Sequence, residues 1–489
     1  MMKRMGGVDA MFLGMETPRA YMHTFKIAIL DPAAHPEGWC FQRYQERMQH
    51  RLHRIPLFRW RYMPAPLGLG HPLWVEDPDF YLGYHLRRVA CPAPGDHRAL
   101  CEFMSSVYAY QLDRSRPLWI TWVVEGLEGG KVAAVTLVHH AYVDGVGASH
   151  AMQQFFNLEP SEEEEHDPPR WLPPPVPSWS RRLLAGIRDL PGLIATGLPI
   201  AVSGLRKKRK LDRAYRDAGK PPHPSPAQMP ATPLNRVLSH GRTFVCESIP
   251  LANFNKARII DGATLNDVFL CCAAGALRRL LQDMDYDPSQ GPLVAGIPVA
   301  GERPPGMEGE GNFVSTDFTW LHIEFEDPLE RLAASHASTD EMKKHIEAAR
   351  GSDITALAQL SPMLLTRFIA WMIRRKGGKL GLAGNVAVSN VPGPREPLYL
   401  GPIEVVNWFS TGQIFDGTSL NMTLWSYCGK ANLCILADSK VLPDGWVLHD
   451  YFCEELAVLN GIADQMTAQE ELKGTARNTQ STTRRASKR

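Results

Sequence analysis

The stretch TLVHHAYVDGVGASH, residues 136–150, ends an apolar run in two adjacent histidines, then sets an aspartate and a glycine four and five residues after the second. Immediately upstream, PLWITWVVEG is rich in β-formers, LEGG is a turn signal, and KVAAVTLVHH is a continuous apolar run. Residues 117–140 therefore read as a hairpin whose second strand is buried on both faces, with the histidines at its end. Neighbouring strand residues point to opposite faces, so His139 and His140 cannot both look into one cavity. Only one of them is then expected to do chemistry.

The pattern outside this hairpin sets the fold class. SHAMQQFFNL (149–158) and TLNDVFLCCAAGALRRLLQ (264–282) have helical spacing, the latter with Asn266 and Asp267 in its first turn. PLVAGIPVA, TDFTWLHIEF, GNVAVSNV and NLCILAD supply further strands. Helices alternate with strands in both halves and no internal repeat is visible, which predicts an α/β protein. With 489 residues and 44% hydrophobic content, the chain is long enough for two domains.

Charge and cysteine usage exclude several classes. Lys plus Arg number 53 against 52 Asp plus Glu, so no nucleic-acid partner is implied. The nine cysteines are scattered without a Cys-x-x-Cys pair, which fits reduced thiols in the cytoplasm. MMKRMGGVDAMFLG lacks the apolar core of a secretory signal.

Two proline-rich polar patches, 159–177 and 219–233, mark a linker region. Between them, LPGLIATGLPIAVSGL (190–205) carries no charge and runs into RKKRK (206–210). Its sixteen residues are too few for a membrane span of about 20. It reads either as a packed inter-domain helix pair or as a segment lying in a bilayer interface, its basic end on anionic headgroups. LLTRFIAWMIRRKGGK (364–379) joins an apolar face to a basic end in the same way, and here core packing is the expectation. The domains expected are 1–160, a linker at 161–235, 236–465, and a basic disordered tail at 466–489.

Several chemistries are open to a His-His-x-x-x-Asp-Gly sequence. Zinc needs three converging protein ligands, and no His-Glu-x-x-His or Cys/His cluster in the sequence accompanies the pair, so no metal is expected. A Gly-x-Ser-x-Gly elbow is absent, and Cys271 and Cys272 fall inside a predicted helix, which argues against a nucleophilic hydrolase. A histidine can still act as general base, taking a proton from one substrate as it attacks another. On spacing alone, Asp144 and Gly145 form an ordinary turn dipeptide, and Asn266 an ordinary helix cap.

His139, His140, Asp144 and Gly145 resemble the active-site signature of the acyl-CoA-dependent acyltransferases that share the chloramphenicol acetyltransferase fold. VDAMFLGMETPRAYMH near the N-terminus, LDRSRPLW (112–119), TPLN (232–235), LNDVFL (265–270), GNFVS (311–315) and VSNVPGP (388–394) narrow the resemblance to the bacterial wax ester synthase/diacylglycerol acyltransferase family. They occur in the family's order over nearly the whole chain. One departure is PVAGERPPG (298–306), where Ala300 stands in place of the family's serine. The Asp-Phe-Gly-Trp-Gly sequence of the plant branch is missing.

The resemblance implies two chloramphenicol-acetyltransferase-like domains, each a mixed sheet with flanking helices, and an active-site tunnel at their interface. It implies a diacylglycerol O-acyltransferase that forms triacylglycerol, with long-chain alcohols as further acceptors, and long-chain acyl-CoA as substrate rather than cofactor. A catalytically weak lipid-binding paralogue is the alternative. His140 would be the general base and His139 would shape the site. Asn266 would stabilise the oxyanion and Asp267 would be structural. Asp144 would pair with an arginine to hold its loop, while Pro117, Leu118 and Trp119 pack beneath the site or line the tunnel. Its lipid substrates imply a cytoplasmic protein at the inner membrane or lipid-droplet surface.

Overall fold

A computed structural model describes residues 3–142, 147, 151, 154–161, 171–217, 219, 223–301, 311–349, 363–379, 381 and 383–486. Asp144 and Gly145 lie outside the described residues, as do 149, 150, 152 and 153 of the helix expected at 149–158.

The predicted hairpin forms as β6 (Trp119–Glu125) and β7 (Val132–His139), paired antiparallel from Trp119 opposite Val138 to Val124 opposite Ala133. Seven of the eight β7 side chains are buried, as a central strand covered on both faces requires. The sheet built on it runs β12 (Leu398–Leu400), β13 (Ile403–Thr411), β2 (His23–Asp31), β7, β6, β5 (Leu86–Ala90). A second six-stranded sheet runs β10 (Val314–Leu321), β9 (Leu293–Ala300), β11 (Val386–Val391), β14 (Leu420–Tyr427), β15 (Lys430–Asp438), β8 (Arg242–Pro250). β1 (Lys3–Arg4), β4 (Leu73–Glu76) and β3 (Trp60–Met63) make a small third sheet. Both large sheets mix parallel and antiparallel pairs, and helices pack on them. The expected α/β architecture of two sheet-rich halves is what forms.

The halves are not sequential blocks. β12 and β13, from deep in the second half, cross back to extend the first sheet along β2. Phe244, Cys246, Trp425, Tyr427, Cys434 and Leu436 correspondingly belong to the hydrophobic core of the first half. A boundary near residue 236 therefore cuts the chain but not the packing. Strand alternation fixes that 398–411 is extended, and it carries no information about which sheet has a free edge for it.

Helices complete the layers: α1 (Gly7–Met15), α2 (His97–Tyr108), α3 (Trp179–Asp217), α4 (Leu265–Asp283), α5 (Pro328–Ala349), α6 (Met363–Arg375) and α7 (Gly445–Ala486). α4 begins with a capping box, Thr264 Oγ1 accepting the Asp267 N–H at 3.2 Å while Asp267 Oδ2 accepts the Thr264 N–H at 2.8 Å. Its buried run from Asp267 to Leu277 fills the second core.

Three expectations change. The helix pair that was one reading of 190–205 is instead a single helix, α3, that passes through Pro191 and Pro199. Its start is pinned to the first half, with Gly186 so close to the Leu69 carbonyl that a Cβ would lie 2.6 Å from it. Trp179, Leu184, Ile187 and Val202 are exposed, and no described helix is long and apolar enough to cross a membrane. The stretch at 364–379 is not core. α6 packs on α1 and buries Thr366 and Ile373, while Phe368 and Trp371 stay 52% and 51% exposed. A helical stripe reports which side chains share a face, and not whether that face is covered. Finally, α7 continues through the expected tail to Ala486. No proline interrupts it, and Ala, Gln, Glu and Lys favour helix even where net charge is high.

Candidate active site

β7 ends at His139, and the chain turns there under tight control. His139 N–H donates to the Leu118 carbonyl at 3.0 Å and His140 N–H to the Met22 carbonyl at 2.9 Å, so both histidine backbones are pinned, one from each flanking segment. Met22 holds φ +53, a left-handed conformation that costs a non-glycine residue about 1–2 kcal/mol. Such strain persists only where the surroundings enforce it, and here it aims a carbonyl at His140.

Pro117, Leu118 and Trp119 pack beneath the turn. All three are buried. Trp119 lies between the Phe58 and His85 rings at 4.7 and 4.6 Å, and its indole N–H donates to the Phe58 carbonyl. Leu118 N–H donates to Tyr142 Oη, whose ring stacks on Trp74 at 4.7 Å. The rigid aromatic platform fixes where β7 stops.

The two histidines diverge, as strand alternation demands. His139 is buried, its Nδ1 accepts the Ala141 N–H at 3.0 Å, and its Nε2 lies 3.3 Å from Glu16 Oε2. Glu16 is also gripped by Arg114, from Nε at 3.1 Å and Nη2 at 2.6 Å. Burial pushes the Glu16 carboxyl up, but His139 and Arg114 outweigh it and hold it at about 2. Burial likewise lowers the His139 imidazole, so the ring is neutral. With Nδ1 accepting, its proton sits on Nε2, facing the carboxylate.

His140 has different company. Its ring stacks on Phe12 with centroids 4.4 Å apart, and its Nδ1 lies 3.1 Å from Asn312 Oδ1. The Asn312 amide is oriented by two acceptors: Nδ2 donates to Asp9 Oδ1 and to the His140 carbonyl, each at 2.8 Å. Asp9 Oδ1 accepts the Asn312 N–H as well, at 2.9 Å. Asn312 Oδ1 is thus presented to the ring as an acceptor, and His140 Nδ1 must carry the hydrogen. In the neutral ring Nε2 is then the basic nitrogen. Asp9 and Asn312 are both buried, so their groups cannot be re-oriented by water.

The structure brings together His139, His140, Pro117, Leu118 and Trp119. Asn266 begins α4 and is partly exposed. Asp267, beside it, is fully buried and ties α4 to α5 through His336 Nδ1 at 2.8 Å and the Thr339 hydroxyl at 2.5 Å. Burial opposes ionisation of Asp267, and these bonds overcome it, lowering its pKa. Ala300 is exposed at the end of β9, so a serine there would face solvent.

Asp9, Phe12, Glu16, Arg114 and Asn312 carry no assignment from sequence, although each sits in a stretch that carries the family resemblance. Their signal was polar residues embedded in otherwise apolar motifs, such as the acid in VDAMFLG. Spacing could not say that residues 9, 140 and 312 meet.

Above the site, His23 stands edge-on to His139 at 5.9 Å, wholly buried, and burial lowers its pKa to about 3. A depressed folded pKa contributes stability that is present above the unfolded value of 6.5 and is lost as pH falls toward 3. Each pH unit in that window removes about 1.4 kcal/mol. His23→Leu should flatten the acid side of a plot of melting temperature against pH by one proton; an unchanged slope would show that His23 is not the titrating group.

Comparison with known proteins places this geometry. The profile of the wax ester synthase/diacylglycerol acyltransferase catalytic domain matches residues 5–269, and that of the family's C-terminal domain matches 310–460. A Mycobacterium tuberculosis protein named for diacylglycerol O-acyltransferase activity is 44% identical over 449 residues, covering 91% of this chain and 94% of its own length. Another from the same organism is 31% identical over 460 residues, covering 91% and 92%. Among solved structures, the wax ester synthase/diacylglycerol acyltransferase from Marinobacter aquaeolei VT8 superposes with a TM-score of 0.66 at 27% identity, over 94% of this chain and 100% of that one. The first condensation domain of the CDA synthetase superposes at 0.59 with 15% identity, over 95% and 96%, a likeness of fold.

Proposed function

We propose, from the premise that this chain is an O-acyltransferase of the wax ester synthase/diacylglycerol acyltransferase family, that it moves a long-chain acyl group from acyl-CoA to diacylglycerol, forming triacylglycerol. The observation that carries the reading is the Asp9–Asn312–His140 arrangement, which sets the proton on Nδ1 and leaves Nε2 as the base. Nε2 takes the acceptor's hydroxyl proton as that oxygen attacks the thioester carbonyl. The tetrahedral adduct collapses, the C–S bond breaks, and the proton passes from His140 to the departing thiolate.

The energetics require the first two events to overlap. An alkanol has a pKa of roughly 16 and histidine about 6.5, so complete prior deprotonation would cost on the order of 13 kcal/mol. The thiolate, with a pKa of about 8.5, leaves with little acid assistance. Donor and acceptor each bring their reacting group, so the sequence closes without a covalent enzyme intermediate, a metal or an organic cofactor. A long-chain alcohol presents the same hydroxyl, and the Marinobacter relative is named for both activities, which supports wax ester synthesis at the same base.

In this reading acyl-CoA and acceptor reach His140 from opposite ends of a tunnel between the halves, and the acceptor is drawn from the cytoplasmic face of the inner membrane or from a lipid droplet. Exposed Trp179, Leu184, Ile187 and Val202 on α3, followed by exposed basic residues within 206–210, support a peripheral contact with an anionic lipid surface.

The test is CoA release from palmitoyl-CoA with diolein, with hexadecanol and without acceptor. Acceptor-dependent release with triacylglycerol as product is expected, and neutralising 206–210 should slow it with diolein in anionic vesicles but not in detergent. Release that ignores the acceptor would identify a thioesterase; none at all would leave a lipid-binding scaffold.

A further inference from the structure

His97 and Cys101 stand four residues apart at the start of α2, so their side chains share one face of the helix. That face lies against β8, the edge strand of the second sheet, and Cys246 on β8 meets it. Cys101 Sγ and Cys246 Sγ are 3.9 Å apart, and Cys246 Sγ is 3.9 Å from His97 Nε2. The three donor atoms all fall within 4.8 Å of one another. Both cysteines are free thiols, 1% and 0% exposed, while 34% of the His97 side chain is open. His97 Nε2 donates to the Cys246 carbonyl, which keeps the ring over the two sulfurs. Spacing could not show this group, since 145 residues separate the two cysteines.

The spacings approach the edges of a tetrahedron around one ion. Zinc lies about 2.3 Å from a thiolate sulfur and about 2.0–2.1 Å from an imidazole nitrogen, which sets sulfur–sulfur and sulfur–nitrogen edges of roughly 3.5–3.8 Å. Small side-chain rotations close the difference. The donors also select the metal: thiolate and imidazole suit zinc, whereas magnesium and calcium take oxygen. Two thiolates neutralise a divalent charge, so the ion can sit in a buried place. A second group among the described residues, His223, Asp317 and His345, also converges, but its two rings stack at 3.6 Å with only 9° between their planes. An imidazole nitrogen binds along its own ring plane, and parallel planes share no point. That group is a carboxylate taking one N–H from each ring, at 2.7 and 3.1 Å.

We infer that His97, Cys101 and Cys246 bind one zinc ion, a structural clip independent of the acyl-transfer chemistry. Binding displaces the two thiol protons, and the ring hydrogen moves from Nε2 to Nδ1. Glu247, whose Oε2 lies 3.9 Å from His97 Nε2, is a carboxylate within reach of the fourth position. Leu100, Met104 and Tyr108 of α2 belong to the core of the first half, and β8 is a strand of the second sheet. The ion therefore ties the two halves together where α2 closes the edge of β8, beside Ser105 Oγ, which accepts the Phe244 N–H at 2.8 Å.

The test needs no turnover. The full chain, reduced with a phosphine and stripped with a chelator, is titrated with cobalt(II), whose absorption reports thiolate ligands and a tetrahedral field. One ion per chain is expected, zinc should displace it, and zinc should raise the melting temperature. Cys101→Ala and His97→Ala should each weaken uptake by more than the roughly 10–100-fold that loss of an outer partner costs. Cys40→Ser, a thiol elsewhere on the chain, should leave it unchanged. His97 sits at the open side, so its variant keeps the core packed even where a buried cysteine variant fails to fold. No uptake by the wild-type chain, or equal uptake by His97→Ala, would overturn the site. Uptake lost in His223→Ala instead would move the ion to the other group and overturn it equally.

Discussion

His140→Ala lowers kcat/KM for acceptor-dependent acyl transfer by about 10²–10⁴-fold, the usual contribution of a positioned general base. The side chain is half-buried at the end of β7, and its backbone is held by the Met22 carbonyl whatever the residue, so the variant should fold and melt close to the wild type. Without an imidazole, the attacking hydroxyl must lose its proton to water, and the roughly 9-unit gap between an alcohol and histidine can no longer be bridged within the transition state. Both acceptors should fail together, because diacylglycerol and a long-chain alcohol present the same group to the same nitrogen. The readout is CoA release with each acceptor beside a thermal melt. A folded variant with wild-type turnover would remove His140 from the chemistry.

Asn312→Ala has the second largest effect, about 10²-fold in kcat, through the geometry of His140 and not through any contact with substrate. The amide does three things at once: it accepts from Nδ1, donates to the His140 carbonyl and donates to Asp9. Removing it frees the ring to rotate on Phe12 and to exchange tautomers, so Nε2 carries the lone pair for only part of the time. It also removes the acceptor that stabilises the imidazolium formed during transfer, so the acid limb of the pH–rate profile should move to lower pH. Loss of packing alone would lower the plateau and leave that limb in place, which makes the profile the deciding measurement. Asp9, 4% exposed, keeps the Asn312 N–H and the Gly6 N–H, so its own loss is smaller.

The two buried acids divide the labour at this site. Glu16 and Arg114 fix His139, whose neutral ring backs the turn, and Asp9 fixes Asn312, which fixes His140. Each works by removing rotational choices from a neighbour, as a rigid active site requires.

The sequence by itself determined the local chemistry. A β-rich run, a turn and an apolar strand could only be the hairpin β6–β7, and period-2 alternation required His139 and His140 to part company. Helical spacing over 264–282, with Asn266 and Asp267 in the first turn, marked α4. The motif order led to the family, since motifs are contiguous and survive being read one residue at a time.

Tertiary structure decided everything that depends on residues far apart in the chain. Asn312 lies 172 residues from His140 and 303 from Asp9, and only the crossing of the two halves makes them neighbours. That Asp267 would tie the start of α4 to α5 through His336 and Thr339 could not be read from its place in the helix's first turn. β12 and β13 joined the sheet of the other half because β2 had an edge to pair, a fact that no strand states about itself. The stripe on α6 has one and the same pattern whether buried or exposed. Periodicity encodes the direction of a side chain relative to its own backbone, whereas a site and a core are defined by what lies opposite, and that is settled by packing.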